Sequence, residues 1–122
     1  MRYFNYHEFN CPVEGTGSGE RMMDEDFLQM LDRARHLAGV PFKVNSGYRS
    51  KEWNKKVGGK PNSAHTMGCA ADIHCVDSRN RCYILGALLE VGFNRIGIAK
   101  TFIHVDNSYD ASHDEDVIWL YD

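Results

Sequence analysis

Apolar positions recur at helical spacing over residues 24–38, where Phe27, Leu31, Ala34 and Ala38 fall on one stripe. Acids crowd the first turn and Arg33, Arg35 and His36 sit near the end, the charge order that complements a helix dipole. Gly39 and Pro41 then stop the helix. A second stripe, Ile84, Ala87, Leu88 and Val91, predicts another long helix that Ser78 can cap and Gly92 closes. Between the two, "FKVNS" predicts a short strand, and Ser50 can cap a brief helix that carries Trp53 and Val57 and ends at Gly58-Gly59. The runs "AADIHCV", "FNRIGIA", "TFIHVD" and "VIWLYD" read as further strands with turns between them. The Gly-rich stretch "CPVEGTGSGE", with Pro12, predicts an exposed irregular loop before the first helix. Helices packed on a small, largely antiparallel sheet make this an α+β fold.

Composition narrows the function classes. At 122 residues the chain is expected to be one domain, 1–122, able to bury a real core but too short for two. With 43% hydrophobic residues, 25% charged and a net charge of -3, nothing points to nucleic acid as a partner. Lys51, Lys55, Lys56 and Lys60 form only a small basic cluster, which a solvated helix face explains. No apolar run approaches the roughly 20 residues that span a bilayer. The start, "MRYFNYHEFN", is too polar for a signal-peptide core. The expectation is therefore a chain that begins at or near Met1, stays off membranes and is cytoplasmic when synthesised. Cys11, Cys69, Cys75 and Cys82 show no CxxC pairing, so free buried thiols are expected rather than a zinc ribbon or a disulfide framework.

The chemistry concentrates in "NSAHTMGCAADIH", residues 62–74. His65 and Asp72 are seven apart, a spacing that suits neither one helix face nor one strand face, so a turn must bring them together. With His104 they make a set of three zinc donors, and three protein ligands leave a fourth position open, the mark of a catalytic site. Gly68 permits the reversal, and Ala70 and Ala71 let the strand pack closely beside the site. His7, His36 and His113 are read as surface or structural residues. His74 shares a strand face with Asp72 and is a candidate supporting group rather than a ligand.

"SGYRS" at 46–50, Asn54, "VGG" at 57–59, "SAHTMGCAAD" at 63–72 and "FIHVD" at 102–106 together resemble the zinc D,D-peptidases of the M15 group. That group contains D-alanyl-D-alanine carboxypeptidases, dipeptidases and phage murein endopeptidases. Three of these, SGYRS, SAHTMGCAAD and the HVD of FIHVD, occur in the group's order over residues 44–106, roughly half the chain. The resemblance implies a Hedgehog/D,D-peptidase-like fold, Zn2+ on His65, Asp72 and His104, and a substrate-binding or oxyanion role for Arg49, whose fork suits a carboxylate or a developing oxyanion. Ser63 and Tyr48 are further candidates for binding substrate. One departure stands out: many relatives carry a carboxylate a few residues before the last metal histidine, whereas Thr101 stands three before His104 here and no Asp or Glu occurs between Glu90 and Asp106. Asp106 is then either the general base or the group that orients His104.

The expected activity is zinc-dependent hydrolysis of peptidoglycan stem peptides or D-Ala-D-Ala-type peptides by attack of metal-bound water. Two alternatives are an L-alanyl-D-glutamate murein endopeptidase and a catalytically silent zinc-binding or virion structural module. The expected partner is the peptide substrate alone, with the chain monomeric and, if phage-encoded, released to the cell wall.

Overall fold

Alternation of apolar side chains with polar or small ones along the central strands sets the architecture. In the computed structural model, which describes residues 1–121, β1 (Val44–Ser46), β2 (Ala70–His74), β3 (Arg95–Ile98), β4 (Phe102–Asp106) and β5 (Val117–Leu120) form one sheet in the order β1-β2-β4-β3-β5. Ala71, Ile73, Ile96, Ile103 and Val105 are fully buried on one face and share a core with the helices. Their alternating neighbours Asp72, Arg95, Gly97, His104 and Asp106 point to the opposite face. The sheet thus has an apolar side that holds the fold and a polar side that holds the chemistry.

The three pairings among β1, β2, β4 and β3 are antiparallel, as the sequence predicts, but β5 runs parallel to β3. The chain leaves β4 at Asp106, passes the start of β3 and returns along its far side. The fold remains α+β, with a mixed sheet.

Helix α1 covers Ser18–Met22, α2 Glu25–Ala38, α3 Lys51–Lys56 and α4 Ser78–Glu90. The carboxylate of Asp24 caps α2 by accepting the Phe27 N–H at 2.9 Å, and Gly39 closes it in the left-handed region. Ser50 caps α3 as expected, its Oγ accepting the Trp53 N–H at 3.1 Å. The cap of α4 is one residue earlier than predicted: Asp77, a stronger acceptor than a hydroxyl, takes the Asn80 N–H at 3.0 Å and Ser78 becomes the first helical residue. Phe27, Leu28, Leu31 and Ala34 of α2 join Ile84, Ala87 and Leu88 of α4 in the core.

The stretch 11–20 is a largely exposed, irregular loop over residues 12–17, as expected, and departs from that only at its ends. α1 begins within it at Ser18, a 3-10 turn at Tyr6–Phe9 precedes it, and both Cys11 and Ser18 are fully buried. Ser18 Oγ accepts the Cys11 N–H and donates to the Gly15 carbonyl, both at 2.8 Å, so the buried hydroxyl has its hydrogen bonds satisfied. All four cysteines are free; three are buried and Cys82 is exposed. Burial pushes the Cys69 thiol up to about 12. Among the described residues, no helix is long and apolar enough to cross a membrane.

Candidate metal centre and its cleft

One row of facing residues crosses all five strands: Ser46 opposite Asp72, Asp72 opposite His104, His104 opposite Gly97 and Gly97 opposite Trp119. Backbone pairing therefore sets Asp72 and His104 side by side although they are 32 apart in sequence. Asp72 Oδ1 lies 2.9 Å from His104 Nδ1 and 3.3 Å from His65 Nε2. His65 arrives from the turn before β2, and Gly68 makes that turn possible. Its φ is +73°, and a Cβ there would stand 1.9 Å from the Met22 carbonyl oxygen.

The far side of each imidazole is held. His65 Nδ1 sits 2.8 Å from the Gly47 carbonyl oxygen, which only accepts, so the proton is on Nδ1 and Nε2 offers its lone pair to the cleft. His104 Nε2 sits 2.7 Å from Asp106 Oδ2, which leaves Nδ1 for the cleft. The donor atoms of His65, Asp72 and His104 lie within 4.8 Å of one another. Two imidazole nitrogens and a carboxylate oxygen, with tautomers fixed by groups behind them, fit a divalent zinc ion.

The electrostatics favour a cation at this point. Burial works against the charge on His104, but the bonds to Asp106 and Asp72 outweigh it and hold the imidazolium above the usual histidine range. Burial likewise opposes ionisation of Asp72, yet His104 and His65 together hold the carboxyl well below the usual range. His65 is pushed down, chiefly by burial, towards the neutral form that ligates metal. In Asp106, burial is overcome by His104 and by Arg95, and the carboxyl falls to about 2. A proton between Asp72 and His104 thus occupies the place a metal ion would take.

The remaining sequence candidates separate. Arg49 Nη2 reaches Asp72 Oδ2 at 3.3 Å, with Nε on Ser46 Oγ at 3.0 Å and Nη1 on Asn54 Oδ1 at 3.3 Å. Asn54 is buried and also donates to the Lys60 carbonyl at 2.8 Å, so it steadies both the arginine and the next loop. Ser63 lines the cleft, its Oγ accepting the His65 N–H at 3.2 Å. Tyr48 does not join the metal cleft: it is buried in the core and borders a smaller pocket of about 190 Å³ beyond Arg49. His74 is exposed, at the outer end of β2. Asp106 is 1% exposed, with Oδ1 accepting from Arg95 Nε at 2.7 Å and from the Ser108 N–H at 3.0 Å and Oδ2 facing His104. Of its two possible roles, that geometry suits the orienting one, because neither oxygen is free to face a substrate.

Several residues of the site were not singled out from sequence. Arg95 is buried, and its Nη1 also donates to the Asp114 carbonyl. Trp119 lies 5.5 Å from the His104 ring, centroid to centroid, and receives the Arg95 guanidinium over its face at 5.2 Å. It reaches there because position 97 lacks a side chain: a Cβ on Gly97 would stand 2.5 Å from the indole nitrogen. Trp119, Tyr121, Phe102 and Val117 supply apolar lining to a cleft of about 710 Å³ that Lys60, Ser63 and the three metal donors also line. The alternation Arg95-Ile96-Gly97-Ile98 already marked Arg95 and Gly97 as facing away from the helices.

Residues 2–106 match the family model described as Peptidase M15. The chain belongs to the M15 peptidase family. Among its relatives is the zinc D-Ala-D-Ala carboxypeptidase of Streptomyces albus G, 40% identical over 67 residues. The match covers 54% of this chain and 26% of that protein, so the chain spans about a quarter of the relative's length. Membership of the M15 family fits both the donor set and the sheet that carries it.

Proposed function

We infer that this chain is a zinc-dependent peptidase that hydrolyses an amide bond in peptidoglycan stem peptides, with D-Ala-D-Ala-type termini as its substrates. One observation carries the reading: three zinc donors converge in a substrate-sized cleft, and the outer nitrogen of each imidazole is held by a group behind it. The naming of the Streptomyces relative supports the D-Ala-D-Ala bond. His65 Nε2, Asp72 and His104 Nδ1 would hold the ion. Bound zinc supplies a Lewis acid that polarises a carbonyl and brings water's pKa towards neutrality.

The chain's own groups do the rest. Arg49 presents a fixed cation beside Asp72, positioned for a substrate carboxylate or for negative charge developing on the scissile carbonyl oxygen. Asp106 holds the His104 ring in plane and keeps its outer nitrogen protonated, while Arg95 keeps Asp106 ionised. Ser63 offers its hydroxyl proton to the substrate backbone, its oxygen being already used by the His65 N–H. The Trp119 and Tyr121 wall receives the apolar part of the peptide and keeps water from that side.

The test is direct. Purified protein is assayed for zinc by elemental analysis and incubated with defined muropeptides, and the products are weighed by mass spectrometry. Release of terminal D-alanine is the expected result. Cleavage between L-alanine and D-glutamate would replace the carboxypeptidase reading by the endopeptidase one. Intact substrates at full zinc occupancy would favour a silent binding module and overturn both.

A further inference from the structure

A hydrolytic site needs a group that takes a proton from the attacking water and returns it to the leaving nitrogen. Most titratable groups around the cleft are committed elsewhere. His65, Asp72 and His104 face the metal position, Asp106 is sealed behind His104 on Arg95, and arginine, lysine and tyrosine side chains keep their protons near neutrality. His113 and Asp114 are left.

His113 is the better anchored of the two, since its side chain has a hydrogen-bond partner that leads to Asp106. Its Nδ1 lies 2.6 Å from Ser108 Oγ, and the Ser108 N–H donates to Asp106 Oδ1. On the other side the Asp114 carbonyl accepts from Arg95 Nη1. Both ends of the short segment carrying the imidazole are therefore tied to the Asp106–Arg95 pair beneath His104. A hydroxyl donates to or accepts from a ring nitrogen, so Ser108 accommodates either tautomer. Nε2 has no hydrogen-bond partner among the described residues. Imidazole is also the side chain whose charge ordinarily changes near neutrality.

We propose that His113 is the general base and acid of this site, acting through Nε2. The imidazole takes a proton from water as the new O–C bond forms. It then delivers that proton to the amide nitrogen as the C–N bond breaks, giving a carboxylate and an amine with no other reactant required. The proposal rests on the zinc-peptidase reading above and adds the proton carrier to it.

His113→Gln tests it in the zinc-loaded protein. The expected result is zinc content equal to the native protein, KM little changed, kcat lower by about 10²- to 10⁴-fold, and loss of one limb of the pH–rate profile. His113→Asn should behave alike, and Asp114→Asn should keep the native profile. A readout independent of turnover uses diethyl pyrocarbonate on metal-free protein: His113 should be carbethoxylated, and a stem peptide should protect it. Turnover by His113→Gln within about threefold of native with an unchanged profile, or loss confined to Asp114→Asn, overturns the proposal and leaves the zinc-peptidase reading standing. Native protein that carries zinc, cleaves no stem peptide and gives no protection of His113 overturns both.

Discussion

Asp72 and His104 face each other across β2 and β4, with Asp72 Oδ1 2.9 Å from His104 Nδ1, so the ladder of the central strands itself sets the distance between two metal donors. The third donor, His65, comes from a turn and completes the set from one side. Removing Asp72 deletes the only oxygen donor of the three and leaves Arg49 without its carboxylate. Asp72→Ala is expected to lower zinc affinity by at least about 100-fold, more than loss of a merely supporting group. Competition with a chromogenic chelator measures it, and retention of stoichiometric zinc would contradict the assigned donor set.

Asp106→Asn separates orientation from proton transfer. An amide still bonds to His104 but leaves Arg95 as a buried cation without its partner. Zinc affinity should fall by about 10- to 100-fold. Stability should fall by roughly 3–5 kcal/mol, the usual cost of breaking one side of a buried pair. Chelator competition and urea unfolding report the two separately. A variant with native zinc affinity and a collapsed kcat would instead assign Asp106 the base.

The same carboxylate predicts an acid limit. Its folded pKa is about 2, below the value of about 3.9 of an unfolded aspartate, so between these values the unfolded chain binds more protons and stability rises with pH. The contribution, on the order of 2 kcal/mol, is fully present above about pH 4 and is lost as pH falls towards 2. His104 has the opposite sign in the metal-free protein. Its raised pKa stabilises the fold below the ordinary histidine value of about 6.5, and that contribution disappears as pH rises through the folded value. Zinc replaces the proton that would otherwise sit between His104 and Asp72, so zinc affinity should increase with pH across that range. Urea titrations of metal-free protein from pH 2 to 8, with and without Asp106→Asn, test both limbs.

Gly97→Ala should be costly although a single methyl is added. The new Cβ would stand 2.5 Å from the Trp119 indole nitrogen and 2.6 Å from a Tyr121 ring carbon, so the aromatic wall must move off β3. A loss of about 1–3 kcal/mol is expected, as for other overpacked sites. Tryptophan fluorescence should shift as the indole leaves His104, while zinc stoichiometry stays native. An unaltered spectrum would show that the indole has kept its place and would contradict the predicted displacement.

Much of this was readable before the structure. The stripes of α2 and α4, the Ser50 cap, all five strands and the three converging donors follow from periodicity, cap residues and ligand chemistry. What escaped depended on long-range placement. The parallel course of β5 is decided by where the chain re-enters the sheet, which strand composition does not encode. Buried Ser18 looks like any loop serine until its partners Cys11 and Gly15 are seen. Arg95, Trp119 and His113 carry no motif of their own, and each acquires meaning only from side chains that the fold brings beside it.

The two-sided alternation of β2 and β4 has a further consequence for how the chain finds its fold. A slip of one residue in either strand would turn Asp72 or His104 into the helix-packed core and bring Ile73 or Ile103 into the cleft. A misaligned sheet would thus bury a charge, expose apolar surface and lose the metal donors at the same step, so a chain competent to bind zinc has already passed a check on its strand alignment.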